Sequence, residues 1–268
     1  MLFHSRAFIF VFLPLCLGGF FLLARLAGSV WALRWLIAAS IFFYGWWDPR
    51  YVPLLIGSIL VNHAIAKDIR LLCRAGSSRT AKRELIAGIA LDLLVLGLFK
   101  YADFFLHTIS PSSEVLGLTL PLAISFFTFQ QIMFLVDAWR SPGRDTDLLH
   151  CAAFITFFPH LIAGPIVRPG DIIPQIRYSA LARPLPVNLS TGLSIFLLGL
   201  GKKLVLADMF GEFADTGFDA AAGGARLTFF EAWYATSAYA LQIYFDFSGY
   251  SGLMAQMGNT PYRFLRPQ

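Results

Sequence analysis

Long apolar runs alternate with short polar interruptions along this chain, and the lengths of the runs predict helices that cross a membrane. Phe8 to Ala24, Trp35 to Trp47 and Tyr51 to Ala66 follow one another with little between them. The first, behind His4 and Arg6, has the look of a secretory signal in isolation, but the apolar runs after it make it a retained membrane helix. The second and third fall short of the roughly 20 residues of an upright span and gain length from flanking apolar residues. Trp46, Trp47 and Tyr51 around Asp48-Pro49-Arg50 read as an interfacial turn. Leu85 to Phe99, Leu120 to Val136, Leu189 to Ala207 and Phe229 to Phe247 bring the total to about seven spans. Glu212, Asp215 and Asp219, with the small-residue run AAAGG, predict a solvated loop from Phe210 to Arg226. The chain has no fixed-period repeat and no soluble domain of appreciable size.

One apolar run breaks the pattern. In Phe154 to Gln175, Pro159, Gly164 and Pro165 interrupt the helix, Pro169 and Gly170 follow, and Arg168 and Asp171 bring charge. Backbone groups freed at membrane depth must meet surrounding protein or water in a cavity, so this stretch predicts a protected interior. Charge sets the topology. Lys67, Arg70, Arg74, Arg79, Lys82 and Arg83 crowd one loop, which the positive-inside rule makes cytoplasmic, with the N-terminus outside and Arg140 and Arg144 in a further cytoplasmic loop. If residues 154–167 dip into the membrane and return, Arg168, Arg177 and Arg183 also stay inside; a full crossing would put them outside. The re-entrant reading is therefore preferred. Lys202 and Lys203 then face outward, which counts against this topology unless they line a cavity.

Composition fixes the class. With 57% hydrophobic and 14% charged residues, and a mean hydropathy of +0.65, the chain carries far less charge than the ~25% of a soluble domain. It is an all-α polytopic membrane protein. The net charge of +5 belongs to loops between apolar runs, so no nucleic-acid partner is expected. Cys16, Cys73 and Cys151 are scattered as packing residues, without the spacing of a disulfide framework or a metal site.

Ionisable groups inside apolar runs are functional candidates by default. Asp246 sits among aromatics and is followed by Ser248, Gly249 and Tyr250; it is either a buried functional carboxylate or an interfacial helix end. Gln130 and Gln131, with Asp137 after them, bond between helices or line a pore. Asp92 pairs with a neighbouring helix or lines a cavity, and Lys100 and Asp103 are spaced to pair. His160 lies in the broken run, as a base or as a cap for freed carbonyls; His63 and His107 fall near span ends. The candidate tunnel-lining set is thus His160, Arg168, Gln130, Gln131, Asp246 and Tyr250.

Six motifs together carry a resemblance: MLFHSRAFIFVFLPL, FFYGWWDPRY, LFKYADFF, LPLAISFFTFQQIMFLVDAWR, FFPHLIAGPIVRPGDIIPQI and LQIYFDFSGYS, in order across most of residues 1 to 251. The chain resembles the membrane-bound O-acyltransferases, in the branch of the bacterial alginate O-acetylation protein. That resemblance implies a ring of membrane helices with re-entrant segments around a tunnel, of which residues 1–251 form a partial ring, in a multi-pass protein of a bacterial inner membrane. It implies acetyl transfer from acetyl-coenzyme A, with no bound cofactor, to an exported cell-surface polysaccharide such as alginate, directly or through a periplasmic acetyltransferase. Membrane lipid is the other partner. In the family a tryptophan-histidine motif beyond the YFDFSGYS run carries the presumed catalytic base. Here Ser251 is followed by a divergent tail, GLMAQMGNTPYRFLRPQ, and no histidine occurs after His160. The expectation is a fragment of a frameshifted or incomplete gene, inactive alone, with the catalytic histidine beyond Gln268 and no catalytic residue assigned within it. Teichoic acid as acceptor, a non-catalytic membrane scaffold and a transporter stay open as alternatives.

Overall fold

The computed structural model describes residues 5–109, 120–161, 168–177 and 186–262; the side chains of 103–107, 109, 160, 175–177, 186–189 and 250–262 fall outside the description. Among the described residues every regular element is helical, as an all-α membrane protein requires. A π-helical turn, Phe8–Phe12, runs into α1 (Leu13–Leu26), and Gly28, at φ +91°, starts α2 (Ser29–Gly45) in a conformation that strains any residue with a side chain. The interfacial turn predicted at Asp48 is present as a 3₁₀ turn, Pro49–Tyr51. Hydrogen bonds from the Arg50 guanidinium and backbone N–H hold the Asp48 carboxyl below the usual carboxylate range.

The hairpin of α3 (Val52–Arg74) and α4 (Ser78–Ile109) packs with α5 (Ile124–Arg140) as a three-helix unit. Glycine sets the spacing: a Cβ on Gly88 of α4 would stand 2.8 Å from Leu135 Cδ1 of α5. Next come α6 (Leu148–Thr156), α7 (Phe158–Leu161) and α8 (Pro169–Arg177). Finally α9 (Pro186–Gly201) passes through a π-helical turn, Lys202–Ala207, into α10 (Asp208–Ala222), and both pack on α11 (Phe229–Tyr262).

Among the described residues three stretches, Phe8–Leu26, Pro49–Arg74 and Ser78–Ala102, are long and apolar enough to cross a membrane, and Ser29–Gly45 is a shorter apolar helix. Their outward faces suit lipid: Phe10 is 74% and Leu94 66% exposed. Inside, α3, α5 and α6 share a core that includes Leu55, Ile69, Phe127, Phe134 and Phe154. Lipid is as apolar as that core, so helix association rests on close packing and interhelical hydrogen bonds.

The structure corrects two sequence expectations. Residues 208–222 are not a solvated loop but the helix α10. Glu212, Asp215 and Asp219 share its exposed face, while Gly211 and Ala214 are buried. Gly217 admits α11, since Ala235 Cβ lies 2.4 Å from where its Cβ would be, while Gly223 and Gly224 of the AAAGG run end the helix, Gly224 at φ +84°. His63 is not near a helix end either, because α3 continues to Arg74 and leaves it in the interior of the helix. The last predicted span also runs on, through Tyr262. At 34 residues and 1.5 Å per residue, α11 is about 51 Å long, well beyond a hydrocarbon core of about 30 Å.

Candidate functional site

The broken run is where α6 gives way to α7. Helix α6 ends at Thr156 and Phe157 turns extended, with φ −52° and ψ 106°. Pro159 has no N–H to continue the ladder and its ring would crowd the carbonyl of Ile155, so the helix restarts instead of running through. The break frees the N–H of Phe158, which donates to Ser40 Oγ of α2 at 3.3 Å; Ser40 is fully buried. Phe157, Phe158 and Leu161 are buried too, so the freed backbone sits in protein, as the sequence reading required. Phe158 closes a cluster with Phe8, Phe12 and Phe43 whose ring centroids lie 5.2 to 6.0 Å apart. Beside it is an apolar cavity of about 250 Å³, lined by Phe157, Phe158 and Pro159 with Leu13, Cys16 and Phe196. His160 is helical in α7, with its side chain outside the description, and Gly164 and Pro165 lie outside the described residues.

A second cavity, about 240 Å³ and polar, opens between the end of α5, the following loop and the start of α8. Asp137, Arg144, Asp145 and Thr146 line it with Pro169 and Gly170. Arg144 Nη1 donates to the Gly170 carbonyl at 3.3 Å, and a Cβ on Gly170 would stand 2.8 Å from that nitrogen. Arg74 pairs with Asp145 at 2.8 Å and donates to the Pro142 carbonyl. Arg70, 3% exposed, lies over the Phe134 ring, and Arg168 is exposed just before α8. Guanidinium groups beside a polar cavity can hold a carboxylate or phosphate. Sequence reasoning missed a histidine at the start of α6, which follows the loop bordering this cavity. His150 Nδ1 contacts the Asp147 carboxylate, which also caps α6 by accepting the His150 N–H; Asp-x-x-His at a helix start was the available signal. A carboxylate that orients an imidazole is an acid–base arrangement in outline.

The remaining candidates separate into two groups. Gln131 joins Ser58 and Asn62 of α3 and Asp92 of α4: Gln131 Nε2 donates to Ser58 Oγ at 2.7 Å, and Asn62 Nδ2 donates to Asp92 Oδ1 at 2.8 Å. Asp92 thus pairs with a neighbouring helix. Gln130, 4% exposed, points its Oε1 where no donor meets it. Asp246 of α11 receives Lys203 Nζ at 2.8 Å, and the same ammonium reaches Asp208 at 2.8 Å. Lys202 donates to Ser248 at 3.1 Å. The two lysines that counted against the topology are therefore held by polar partners on α10 and α11. Tyr250 follows Gly249 in α11 with its side chain outside the description. Among the described residues no hydrogen bond or ion pair joins the Gln131 group to the Asp246 group, and no set of three or more His, Cys, Asp or Glu side chains is placed to hold a metal ion.

Comparison with known proteins fits this picture of a helical membrane protein with a protected interior. The model of the membrane-bound O-acyltransferase family matches residues 122–260, the part that holds the broken run and the Asp246 group. The chain is 37% identical to the peptidoglycan O-acetyltransferase of Helicobacter pylori, over all of its own length and 58% of that protein's. It is 35% identical to the probable alginate O-acetylase AlgI of Pseudomonas aeruginosa, over 96% of its own length and 49% of that protein's. It is also 25% identical to the teichoic acid D-alanyltransferase of Lacticaseibacillus rhamnosus, over 71% of its own length and 48% of that protein's. The chain spans about half the length of the curated relatives it matches. It belongs to the membrane-bound O-acyltransferase family.

Proposed function

We propose that this chain is part of a multi-pass O-acyltransferase of a bacterial inner membrane that places acetyl groups on hydroxyls of an exported cell-surface polysaccharide, alginate being one such acceptor. The observation that carries the reading is the similarity along the whole chain to proteins named for O-acetylation of alginate and peptidoglycan. Both names specify O-acetylation of a glycan. The buried helix break supports it, since acyl transfer from a thioester needs a site shielded from hydrolysis. On this reading residues 154–167 dip into the membrane and return.

Acetyl-coenzyme A is the donor in this proposal. Arg144 lines the polar cavity and Arg74 pairs with its Asp145, at the end of the molecule that the positive-inside rule assigns to the cytoplasm, and Arg144 would meet the donor's phosphates. In the transfer, the acceptor hydroxyl gives its proton to a base, its oxygen forms the new C–O bond, the carbonyl–sulfur bond breaks, and the base returns the proton to the departing sulfur to release the thiol. The acceptor is reached directly or through a periplasmic acetyltransferase partner.

Disruption of the gene for this chain tests the reading in its own host. Base-labile acetyl, measured by NMR on separated envelope fractions, is expected to disappear from exopolysaccharide. A loss confined to peptidoglycan would move the acceptor to that glycan, and unchanged acetylation of every envelope polymer would overturn the proposal.

A further inference from the structure

The group of Ser58, Asn62, Asp92 and Gln131 lies where α3, α4 and α5 pack, near the middle of the apolar stretch Ser78–Ala102. Its hydrogens do not match its acceptors. The two hydrogens of the Asn62 amide face three oxygens: the Ser58 carbonyl at 3.1 Å, Asp92 Oδ1 at 2.8 Å and Gln131 Oε1 at 3.3 Å. The Ser58 hydroxyl is committed to the Leu55 carbonyl. Asp92 Oδ2 and Asn62 Oδ1 are buried with no hydrogen-bond partner, in residues only 6% and 1% exposed.

Positive charge is missing as well. Among the described residues the ion pairs within 4.0 Å involve Asp48, Asp145, Asp147, Asp208 and Asp246, and none involves Asp92. On α3 the nearest charged residue in sequence is Lys67, five residues past Asn62 and about 7.5 Å along the axis. His63 follows Asn62 but is turned about 100° round the helix. On α5 the nearest is Asp137, six residues past Gln131, and on α4 the nearest are Glu84 and Lys100, each eight residues from Asp92. An ionised carboxylate buried here would rest on one amide hydrogen bond, which returns far less than the solvation it gives up. Two buried oxygens, on side chains joined by the 2.8 Å hydrogen bond from Asn62 Nδ2 to Asp92 Oδ1, therefore lack both a donor and a counter-charge.

We propose that Asp92 Oδ2 and Asn62 Oδ1 form a binding site for a monovalent cation inside the membrane, taken up either as a proton on the Asp92 carboxyl or as a sodium ion between the two oxygens. Either one supplies positive charge to this pair of hydrogen-bonded side chains. The site lies apart from the helix break and the Arg144 cavity, and stands or falls independently of acyl transfer.

The test uses the purified full-length chain in phospholipid nanodiscs at fixed neutral pH. Infrared spectra of the wild type and Asp92→Asn are compared, and thermal midpoints are recorded in sodium, potassium and choline chloride at equal ionic strength. With a bound proton, the wild type has a carboxylic acid C=O band that D92N lacks, whatever the salt. With bound sodium, the band is absent, the wild-type midpoint is higher in sodium than in choline chloride, and D92N loses that difference. If D92N does not fold, Asn62→Leu serves: removing Asn62 Oδ1 is expected to shift the band or weaken the sodium response at least tenfold. Absence of the band together with equal midpoints in all three salts would overturn the proposal.

Discussion

Ser40 is a small hydroxyl in an apolar helix, and its Oγ receives the Phe158 N–H that the break at Phe157 sets free. Removing it leaves a buried donor with nothing to bond, a loss of about 1–3 kcal/mol. Ser40→Ala is therefore expected to lower the thermal midpoint of the detergent-solubilised chain, while Ser194→Ala, at an exposed hydroxyl bonded within its own helix, leaves it nearly unchanged. The break itself was legible, since proline cannot continue a helical ladder wherever it occurs. Its partner was not, because Ser40 and Phe158 are 118 positions apart and nothing local to either marks the pair. Asp246 is similar. A carboxylate among aromatics stands out in a sequence, but its lysine depends on how the π-helical turn at Lys202–Ala207 meets α11.

At the scale of elements, the hydrophobic runs located the helices and misjudged those built from small residues. Helix α10 was the casualty, because glycines such as Gly217, which weaken an isolated helix, also let two helices approach. Gly88 does the same between α4 and α5. Gly88→Val is expected to destabilise the chain by about 1–3 kcal/mol through overpacking against Leu135 and Ile65. Leu135→Ala in the same chain should recover part of that loss, since the two side chains compete for one space and their effects are not additive. A double mutant as unstable as the sum of the singles would show that the contact does not limit the packing of α4 on α5.

For the whole molecule, α3 ties topology to structure. Its 23 residues span about 35 Å, enough to carry the chain across a hydrocarbon core of about 30 Å. The Asp48–Arg50 turn and the Gly76 turn then lie on opposite faces of the membrane, with the basic loop on the cytoplasmic side. In a chain with Cys73 replaced by serine, Ser77→Cys should react with an impermeant thiol reagent only after the membrane is opened, and Trp47→Cys in intact cells. Labelling of both positions from one side would contradict the crossing.

What the sequence determined by itself were properties carried by single residues and near neighbours: apolar runs of membrane length, the break at Pro159, the basic loop between α3 and α4, and the ordered motifs of the membrane-bound O-acyltransferase family. Each follows from local sterics or from transfer between water and lipid, which act on a segment wherever it is placed. Only the tertiary structure decided which polar groups meet. It gave Phe158 to Ser40, Lys203 to Asp246 and Asp208, and Gln131 to the group around Asp92. A polar side chain surrounded by apolar ones has many possible partners along the chain, and the packing of helices distant in sequence leaves it those within hydrogen-bonding reach.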